Sequence, residues 1–243
     1  MSVESERRGP AAWVTFNRPE AHNAMTFAMY DALVAHCETV DADDDVRVMV
    51  LRGAGGRAFV AGTDIRQFES FRTAQDGLEY EARMDAVLDR LEAVRKPTVA
   101  LVDGFAMGSG FAISACCDLR VLTPDAKFGM PIARTVGNCL SMANYARLVA
   151  ALGAPRVKDV IFRARSISAE EALSLGFASA VVEDAQAFVG ELCEQLADMS
   201  PTTLWATKEA LRRGRAVPEG DDLVLEAYGS PGFKANVKRF LER

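Results

Sequence analysis

The chain has 243 residues, of which 49% are hydrophobic and 26% charged, and its 28 Lys and Arg against 34 Asp and Glu give a formal net charge of −6. This balance excludes collagen, coiled-coil and disordered classes, and the size suits one large domain, or one domain with an appendage. A protein that binds nucleic acid over much of its surface needs an excess of basic residues, and the net negative charge argues against this function.

The cysteine, histidine and N-terminal patterns predict a cytoplasmic protein without a metal site. The five cysteines form no CxxC pair and only two histidines are present, so we expect reduced thiols and no bound metal. Residues 1–12 mix acids with bases and have no apolar core, unlike a secretory signal. The most membrane-like stretch, 98–117, contains Asp103 and three glycines, which fits a strand, loop and helix better than a membrane span.

The first elements alternate between strand and helix. Residues 12–16 form an apolar run that predicts a strand, and Thr26 can cap a helix whose apolar residues follow i, i+3, i+4, i+7 spacing. The acidic run 41–45 predicts a solvated loop. Residues 46–51 are typical of a buried strand.

The middle of the chain continues the alternation. After a glycine-rich turn and residues 58–60, a short helix is predicted from Asp64, and then a long amphipathic helix with apolar positions from Tyr80 to Val94, ended by Pro97. Strands are predicted at 98–102, at 119–122 after a helix, and near 180–182.

Helices dominate beyond residue 140. The whole pattern predicts an α/β core over residues 1–199 and a helical C-terminal region over residues 200–243.

Two glycine-containing turns, each between a strand and a helix, are the places where chemistry could occur. They read Ala-Gly-Thr-Asp at 61–64 and Asp-Gly-Phe-Ala-Met-Gly-Ser-Gly at 103–110. Such turns leave backbone N–H groups unobstructed, and at a helix N-terminus those groups favour negative charge. If the turns converge, they would form an oxyanion hole. Each turn alone is more typical of a tight loop that packs a strand on a helix. Neither matches a nucleotide-phosphate loop or a hydrolase nucleophile elbow.

Seven segments resemble motifs of the crotonase (enoyl-CoA hydratase/isomerase) superfamily, in the same order over nearly the whole chain. They are NRPEAHNAM at 17–25, AFVAGTDI at 58–65, KPTVA at 96–100, GFAMGSG at 104–110, CDLR at 117–120, AKFGMP at 126–131 and SAEEALSLGF at 168–177. The resemblance implies a crotonase-like ββα spiral core with a helical C-terminal trimerisation region, in a homotrimer or dimer of trimers. It also implies acyl-CoA thioester substrates, a stabilised thioester enolate, and no cofactor beyond the coenzyme A of the substrate.

The resemblance assigns roles to individual residues. It implies that the backbone N–H groups of Thr63 and Ser109 are the two oxyanion-hole donors. Because only backbone groups are needed, Thr and Ser side chains at these positions need not disable the hole. It implies a site for the coenzyme A part of the substrate at Ala21, Ala61, Asp64, Arg66, Gly108, Phe240 and Arg243. The bases of the C-terminal region could meet coenzyme A phosphates, although solvated helix faces explain them equally well. Asp64 is interpreted as a helix cap and Asp118 as structural.

The sequence departs from the family at the two glutamates that its hydratases use to activate water and transfer a proton. Ala112 and Ile132 stand at those positions, and between residues 104 and 154 the only acids are Asp118 and Asp125. We therefore expect standard hydration to be weak or absent.

The loop at 133–141, which follows Ile132, is one residue longer than the family pattern. Candidates to shape an acyl pocket are Ala112, Ile132, Arg134, Asn138 and Cys139. Cys139 is also a conceivable nucleophile, but no histidine is near it in sequence. Glu81 and Asp85, on the long helix, could reach a cleft, but their spacing also suits a solvated face.

Three functions remain open. The first is an acyl-CoA enzyme, a hydratase or isomerase by kinship, with isomerisation, decarboxylation or thioester hydrolysis as possible reactions. The second is a non-catalytic acyl-CoA-binding protein. The third, RNA binding, is known for a relative with a lysine-rich helix. The comparable helix here is acidic and carries Glu79, Glu81, Asp85, Asp89 and Glu92.

Overall fold

A computed structural model describes residues 2–215 and 219–242. Its strands are β1 Ser2–Arg8, β2 Ala11–Asn17, β3 Val48–Gly53, β4 Ala58–Val60, β5 Thr98–Val102, β6 Phe105–Met107, β7 Leu119–Leu122, β8 Lys127–Gly129, β9 Ser166–Ser168 and β10 Ala180–Val181. Its α-helices are α1 Phe27–Ala42, α2 Ala74–Glu92, α3 Ser109–Cys116, α4 Met142–Leu152, α5 Ala154–Phe162, α6 Ala169–Ser174, α7 Ala185–Ala197, α8 Pro201–Arg213, α9 Asp221–Gly229 and α10 Pro231–Leu241.

The strands form two sheets. The larger has the order β1-β2-β3-β5-β7-β10, antiparallel at β1–β2 and parallel elsewhere. The smaller has the order β4-β6-β8-β9, antiparallel only at β8–β9. Side chains of β3 and β5 are buried on both faces, apart from a half-buried Arg52, as expected of parallel strands covered by helices. The predicted α/β class with C-terminal helices is confirmed, whereas the domain boundary after residue 199 stays a prediction.

Most predicted elements are present, with one correction at the end of α1. Thr26 caps this helix, since its side chain accepts a hydrogen bond from the Met29 N–H. The helix continues through Ala42, so the solvated loop predicted at 41–45 is wrong for its first two residues. The reason is tertiary, because Asp41 forms a 2.7 Å ion pair with Arg90 of α2.

The strands β1, β6, β8 and β9 were not predicted. β1 has the charged sequence SVESERR, and most of its side chains are exposed because it lies at the edge of the larger sheet. The other three are only three residues long, too short for an alternating pattern to be recognised.

The C-terminal helices fold back over the rest of the chain. α9 packs on α2, and α10 packs on the short 3-10 helix Ile65–Ser70. Aromatic side chains of the three segments form a shared cluster in which Phe68, Tyr228 and Phe233 are buried. No helix in the described ranges is long and apolar enough to cross a membrane.

Candidate functional site

The two glycine turns meet in space, as the oxyanion-hole hypothesis requires. Gly62 and Gly108 have φ angles of +111° and +54°, and a Cβ built on Gly108 would lie 3.5 Å from the Gly62 Cα. Both backbones therefore adopt conformations that favour glycine. Gly110 is equally constrained, because its Cβ would lie 2.1 Å from the Val60 carbonyl oxygen. Glycine at these positions lets the start of α3 sit directly against the turn that follows β4.

Thr63 and Ser109, which follow the two turn glycines, line one cavity of about 400 Å³. Neighbouring hydrogen bonds hold the turns: the Met25 N–H donates to the Gly62 carbonyl (2.8 Å), and the Gly108 N–H donates to the Gly129 carbonyl (2.9 Å). Within the described ranges, the N–H groups of Thr63 and Ser109 have no hydrogen-bond acceptor. Two free backbone donors on one cavity can stabilise a developing negative charge on oxygen.

Two tyrosines hold the side chain of Thr63. Its hydroxyl lies 2.7 Å from the hydroxyl of Tyr30 and 2.7 Å from that of Tyr80. Burial raises the pKa of Tyr30 to about 12, so its phenol stays protonated at neutral pH. Both tyrosines occupy apolar positions in the amphipathic patterns of their helices, and those patterns gave no signal for a role at the site.

Asp64 caps the 3-10 helix Ile65–Ser70, as predicted, by accepting a hydrogen bond from the Arg66 N–H at 3.2 Å. It also forms a buried ion pair with Arg18 (2.8 Å), and Arg66 reaches it from a largely exposed position. Hydrogen bonds from Arg66, with further help from Arg18, lower the pKa of Asp64 to about 2. The two guanidinium groups thus hold a permanent carboxylate at the edge of the cavity.

Glu81 lies on the cavity, so of the two environments that the sequence suggested for it, a cleft and a solvated face, the solvated face is wrong. Its side chain lines the cavity and is only 3% exposed. Its carboxylate accepts hydrogen bonds from the Tyr228 hydroxyl (2.7 Å) and the Ser141 N–H (2.8 Å). Burial raises the pKa of Glu81 to about 7. A sequence signal was present, because Glu81 lies three residues before Met84 and seven before Leu88, on the apolar stripe of the helix.

Most of the candidate residues surround this single cavity. Its lining includes Ala21, Ala61, Thr63, Asp64, Arg66, Gly108, Ser109, Ala112, Ile132, Asn138 and Phe240. The structure does not bring Arg134 or Cys139 into the lining, since Arg134 is exposed and the Cys139 thiol donates to the Leu223 carbonyl at 3.4 Å. Burial raises the pKa of Cys139 to about 12, which disfavours a nucleophilic thiolate. Arg243 lies outside the described residues.

Several bases of the C-terminal region are already paired with acids of the same chain. Lys208 contacts Asp118 at 2.8 Å and Arg215 contacts Glu92 at 2.5 Å. Asp118 also accepts a hydrogen bond from the Thr98 N–H, which agrees with the structural role predicted for it. These ion pairs attach α8 and the residues just after it to the core, so Lys208 and Arg215 are already neutralised by acids of this chain.

Comparison with known proteins gives a consistent result. The family model for enoyl-CoA hydratase/isomerase matches residues 6–228. The chain is 34% identical to a short-chain-enoyl-CoA hydratase of Clostridium acetobutylicum, over 88% of this chain and 82% of the relative. It is also 34% identical to the enoyl-CoA hydratase EchA19 of Mycobacterium tuberculosis, over 98% and 92%.

Solved structures agree with the sequence relatives. An enoyl-CoA hydratase/carnithine racemase from Magnetospirillum magneticum superposes with a TM-score of 0.83 at 28% identity, covering 99% of this chain and 88% of the other. An enoyl-CoA hydratase/isomerase from Mycobacterium paratuberculosis shares the fold with a TM-score of 0.87 at 21% identity, covering 98% and 97%.

Proposed function

The chain belongs to the enoyl-CoA hydratase/isomerase family, and from that premise we propose that it is an enzyme acting on acyl-CoA thioesters. The reaction passes through an enolate whose oxygen accepts hydrogen bonds from the N–H groups of Thr63 and Ser109. The coenzyme A part of the substrate extends past Ala21, Ala61 and Arg66, and no further cofactor takes part.

One observation carries this proposal: Thr63 and Ser109, whose backbone N–H groups have no protein acceptor in the described ranges, line one cavity where the glycine turns meet. The charge on an enolate oxygen develops during the reaction, so donors fixed in advance stabilise it without reorganisation. Loss of one such donor typically costs about 2.7–4 kcal/mol in the activation barrier.

We further propose that this enzyme does not hydrate enoyl-CoA thioesters by the family's two-carboxylate route. Ala112 and Ile132 line the cavity and are buried, at 4% and 9% exposure. Neither side chain can transfer a proton. Together with Met84, Leu88 and Met130 they make this part of the lining apolar, which suits an acyl chain.

The test compares hydration with enolate formation. Purified protein is incubated in D₂O with butanoyl-CoA and a panel of longer acyl-CoA thioesters, and deuterium at the α-carbon is measured by NMR. Hydration of crotonyl-CoA is followed in parallel by loss of enoyl absorbance. We expect α-proton exchange, and hydration at least about 10²-fold slower than in a family hydratase with both glutamates.

The alternatives give distinct results. Binding of acyl-CoA without exchange on any thioester would favour a non-catalytic acyl-CoA-binding family member. Crotonyl-CoA hydration at the rate of the reference hydratase would refute the absence of two-carboxylate hydration.

The assembly and location follow the same resemblance. We propose a homotrimer or a dimer of trimers in the cytoplasm. Large apolar side chains are exposed at Phe162 (78%), Leu211 (74%) and Met199 (54%), and contacts between copies of the chain would bury such groups. Sedimentation velocity tests the assembly, and a monomer at micromolar concentration would contradict it.

A further inference from the structure

Glu81 differs from the other carboxylate on the cavity. The carboxylates in the lining are Asp64 and Glu81. Asp64 is bound by the guanidinium groups of Arg18 and Arg66, which hold it ionised. Glu81 forms no ion pair with any Lys or Arg of the described ranges, and its two partners are a neutral hydroxyl and a backbone N–H. A carboxylate without a counter-charge can gain and lose a proton much more readily.

The partners of Glu81 come from two other segments of the fold. Ser141 precedes α4, and its hydroxyl also donates to Asp85 at 2.7 Å. Tyr228 belongs to α9, which reaches Glu81 across the surface of α2. Gly77 makes this approach feasible, because a Cβ at that position would lie 2.3 Å from the Tyr228 ring. The Asn138 amide donates a hydrogen bond to the Tyr228 hydroxyl oxygen at 3.0 Å. The hydroxyl proton of Tyr228 is therefore available to donate to Glu81.

Burying an acid in this way has no evident benefit for stability. Burial of a carboxyl group costs free energy unless it is paired, and a hydrophobic residue would fill the same stripe of α2 without that cost. A titratable group that is buried, unpaired with a cation and placed on a cavity is a typical functional residue.

We propose that Glu81 is the acid–base group of this enzyme, which removes a proton from the acyl chain and returns it to the same chain. The inference rests on the proposed enolate function and supplies the proton-transfer group that Ala112 and Ile132 cannot provide. Its substrate class is the 3-enoyl-CoA thioester, because a single carboxylate can move a proton from the α-carbon to the γ-carbon.

The step is balanced without another reactant. The α-carbon C–H bond breaks and its proton passes to the Glu81 carboxylate. The electron pair forms the enolate C=C bond, and the thioester C=O pair moves onto the oxygen held by the Thr63 and Ser109 N–H groups. When the enolate reverts, the double bond shifts towards the carbonyl and the γ-carbon takes the proton from Glu81. The product is a 2-enoyl-CoA.

The charges around Glu81 determine its pH dependence. The pKa of Glu81 is raised to about 7 as the net result of burial, which raises it, of the hydrogen bonds from Tyr228 and Ser141, which lower it, and of the Asp85 charge, which raises it. Titratable and charged groups face this region from each packed element: Tyr30 of α1, Tyr80, Asp85 and Asp89 of α2, Cys139 of the loop before α4, Tyr145 and Arg147 of α4, and Tyr228 of α9. Because the base must be ionised, kcat/KM should rise with pH around a midpoint of about 7.

The experiment follows the conversion of 3-butenoyl-CoA to crotonyl-CoA, with deuterium incorporation from D₂O. Glu81→Gln should lower kcat/KM by about 10²–10⁴-fold while leaving coenzyme A thioester binding within a few fold. Glu79→Gln, at an exposed position of the same helix, is the matched control and should be unchanged. Tyr228→Phe keeps the carboxylate but removes a hydrogen bond that favours its ionised form, so the pH midpoint should move up by about one unit.

The outcomes separate the two proposals. Exchange in the wild-type protein that persists within about threefold in Glu81→Gln would overturn the role of Glu81 and leave the enolate function standing. Absence of exchange and isomerisation in the wild-type protein would overturn both. If Glu81→Gln fails to fold, an unshifted pH midpoint in Tyr228→Phe would by itself overturn the role of Glu81.

Discussion

Substitution of Gly110 by alanine tests whether close packing of α3 on β4 positions the Ser109 N–H. The added Cβ would lie 2.1 Å from the Val60 carbonyl oxygen, whereas an ordinary C···O contact is about 3.3 Å. The start of α3 must therefore move by about 1 Å. A misplacement of that size costs about 10²-fold in rate, equivalent to about 2.7 kcal/mol.

Stability should fall in the same variant. Overpacking typically costs about 1–3 kcal/mol, while alanine's better helix propensity returns up to about 1 kcal/mol. We therefore expect a net loss of about 1–2 kcal/mol in urea unfolding, and α-proton exchange at least about 10²-fold slower under conditions where the variant is folded.

The matched control is Gly190→Ala in α7, where nothing beyond the adjacent residues and the helix's own nearby backbone lies within 4 Å of the added Cβ. It should gain about 0.5–1 kcal/mol of stability and leave exchange unchanged. Wild-type stability and exchange in Gly110→Ala would refute the reasoning, as would lost stability with unchanged exchange.

Three further substitutions probe the residues that hold the site. Asp64→Asn should cost about 3–5 kcal/mol of unfolding free energy at pH 7, because it leaves the buried Arg18 with a 3.9 Å contact to the exposed Glu20 as its remaining ion pair. The wild-type stability that depends on Asp64 should be lost as pH falls from about 4 to about 2. An equal acid transition in the variant would contradict this. The pKa of Glu81 is raised to about 7 in the folded protein. The unfolding free energy of the wild-type protein should therefore fall by an amount on the order of 3 kcal/mol as the pH rises from 4.5 to 7. Glu81→Gln should show a flatter dependence of unfolding free energy on pH. Asn23, at a φ of +58°, makes three side-chain hydrogen bonds within the turn after β2 and to residues 54 and 58, two of them buried and one part-buried. Asn23→Ala removes all three and should cost about 3 kcal/mol in urea unfolding, and a loss below about 1 kcal/mol would show that this turn does not depend on Asn23.

Local patterns in the sequence were sufficient for most of the elements. The apolar runs of β3 and β5 and the capped start of α1 are properties of neighbouring residues, so periodicity and capping chemistry detect them. The missed strands β6, β8 and β9 owe their pairing to partners elsewhere in the chain. A three-residue segment carries too little pattern to indicate such a partner.

In the candidate site, too, local features could be predicted from the sequence and long-range contacts could not. The glycines of the two turns could be identified from the sequence, because a free backbone N–H needs no particular side chain. Their contact could not, since Gly62 and Gly108 meet only when β4 and β6 pair. The sequence left Glu81 between a cleft and a solvated face, although its spacing to Met84 and Leu88 was a usable signal for burial.

The α/β class, the glycine turns and the absence of acids at positions 112 and 132 are evident without the structure, because each is a property of residue type and local order. Which unpaired acid lies on the cavity depends on long-range packing. Tyr228 is 147 positions away from Glu81 along the chain, and it reaches the carboxylate because α9 folds back onto α2 over Gly77. The burial of a polar group, and with it the pKa, depends on what packs against it from distant segments. Of the 34 acids counted in the sequence, the fold singles out Glu81 in this way.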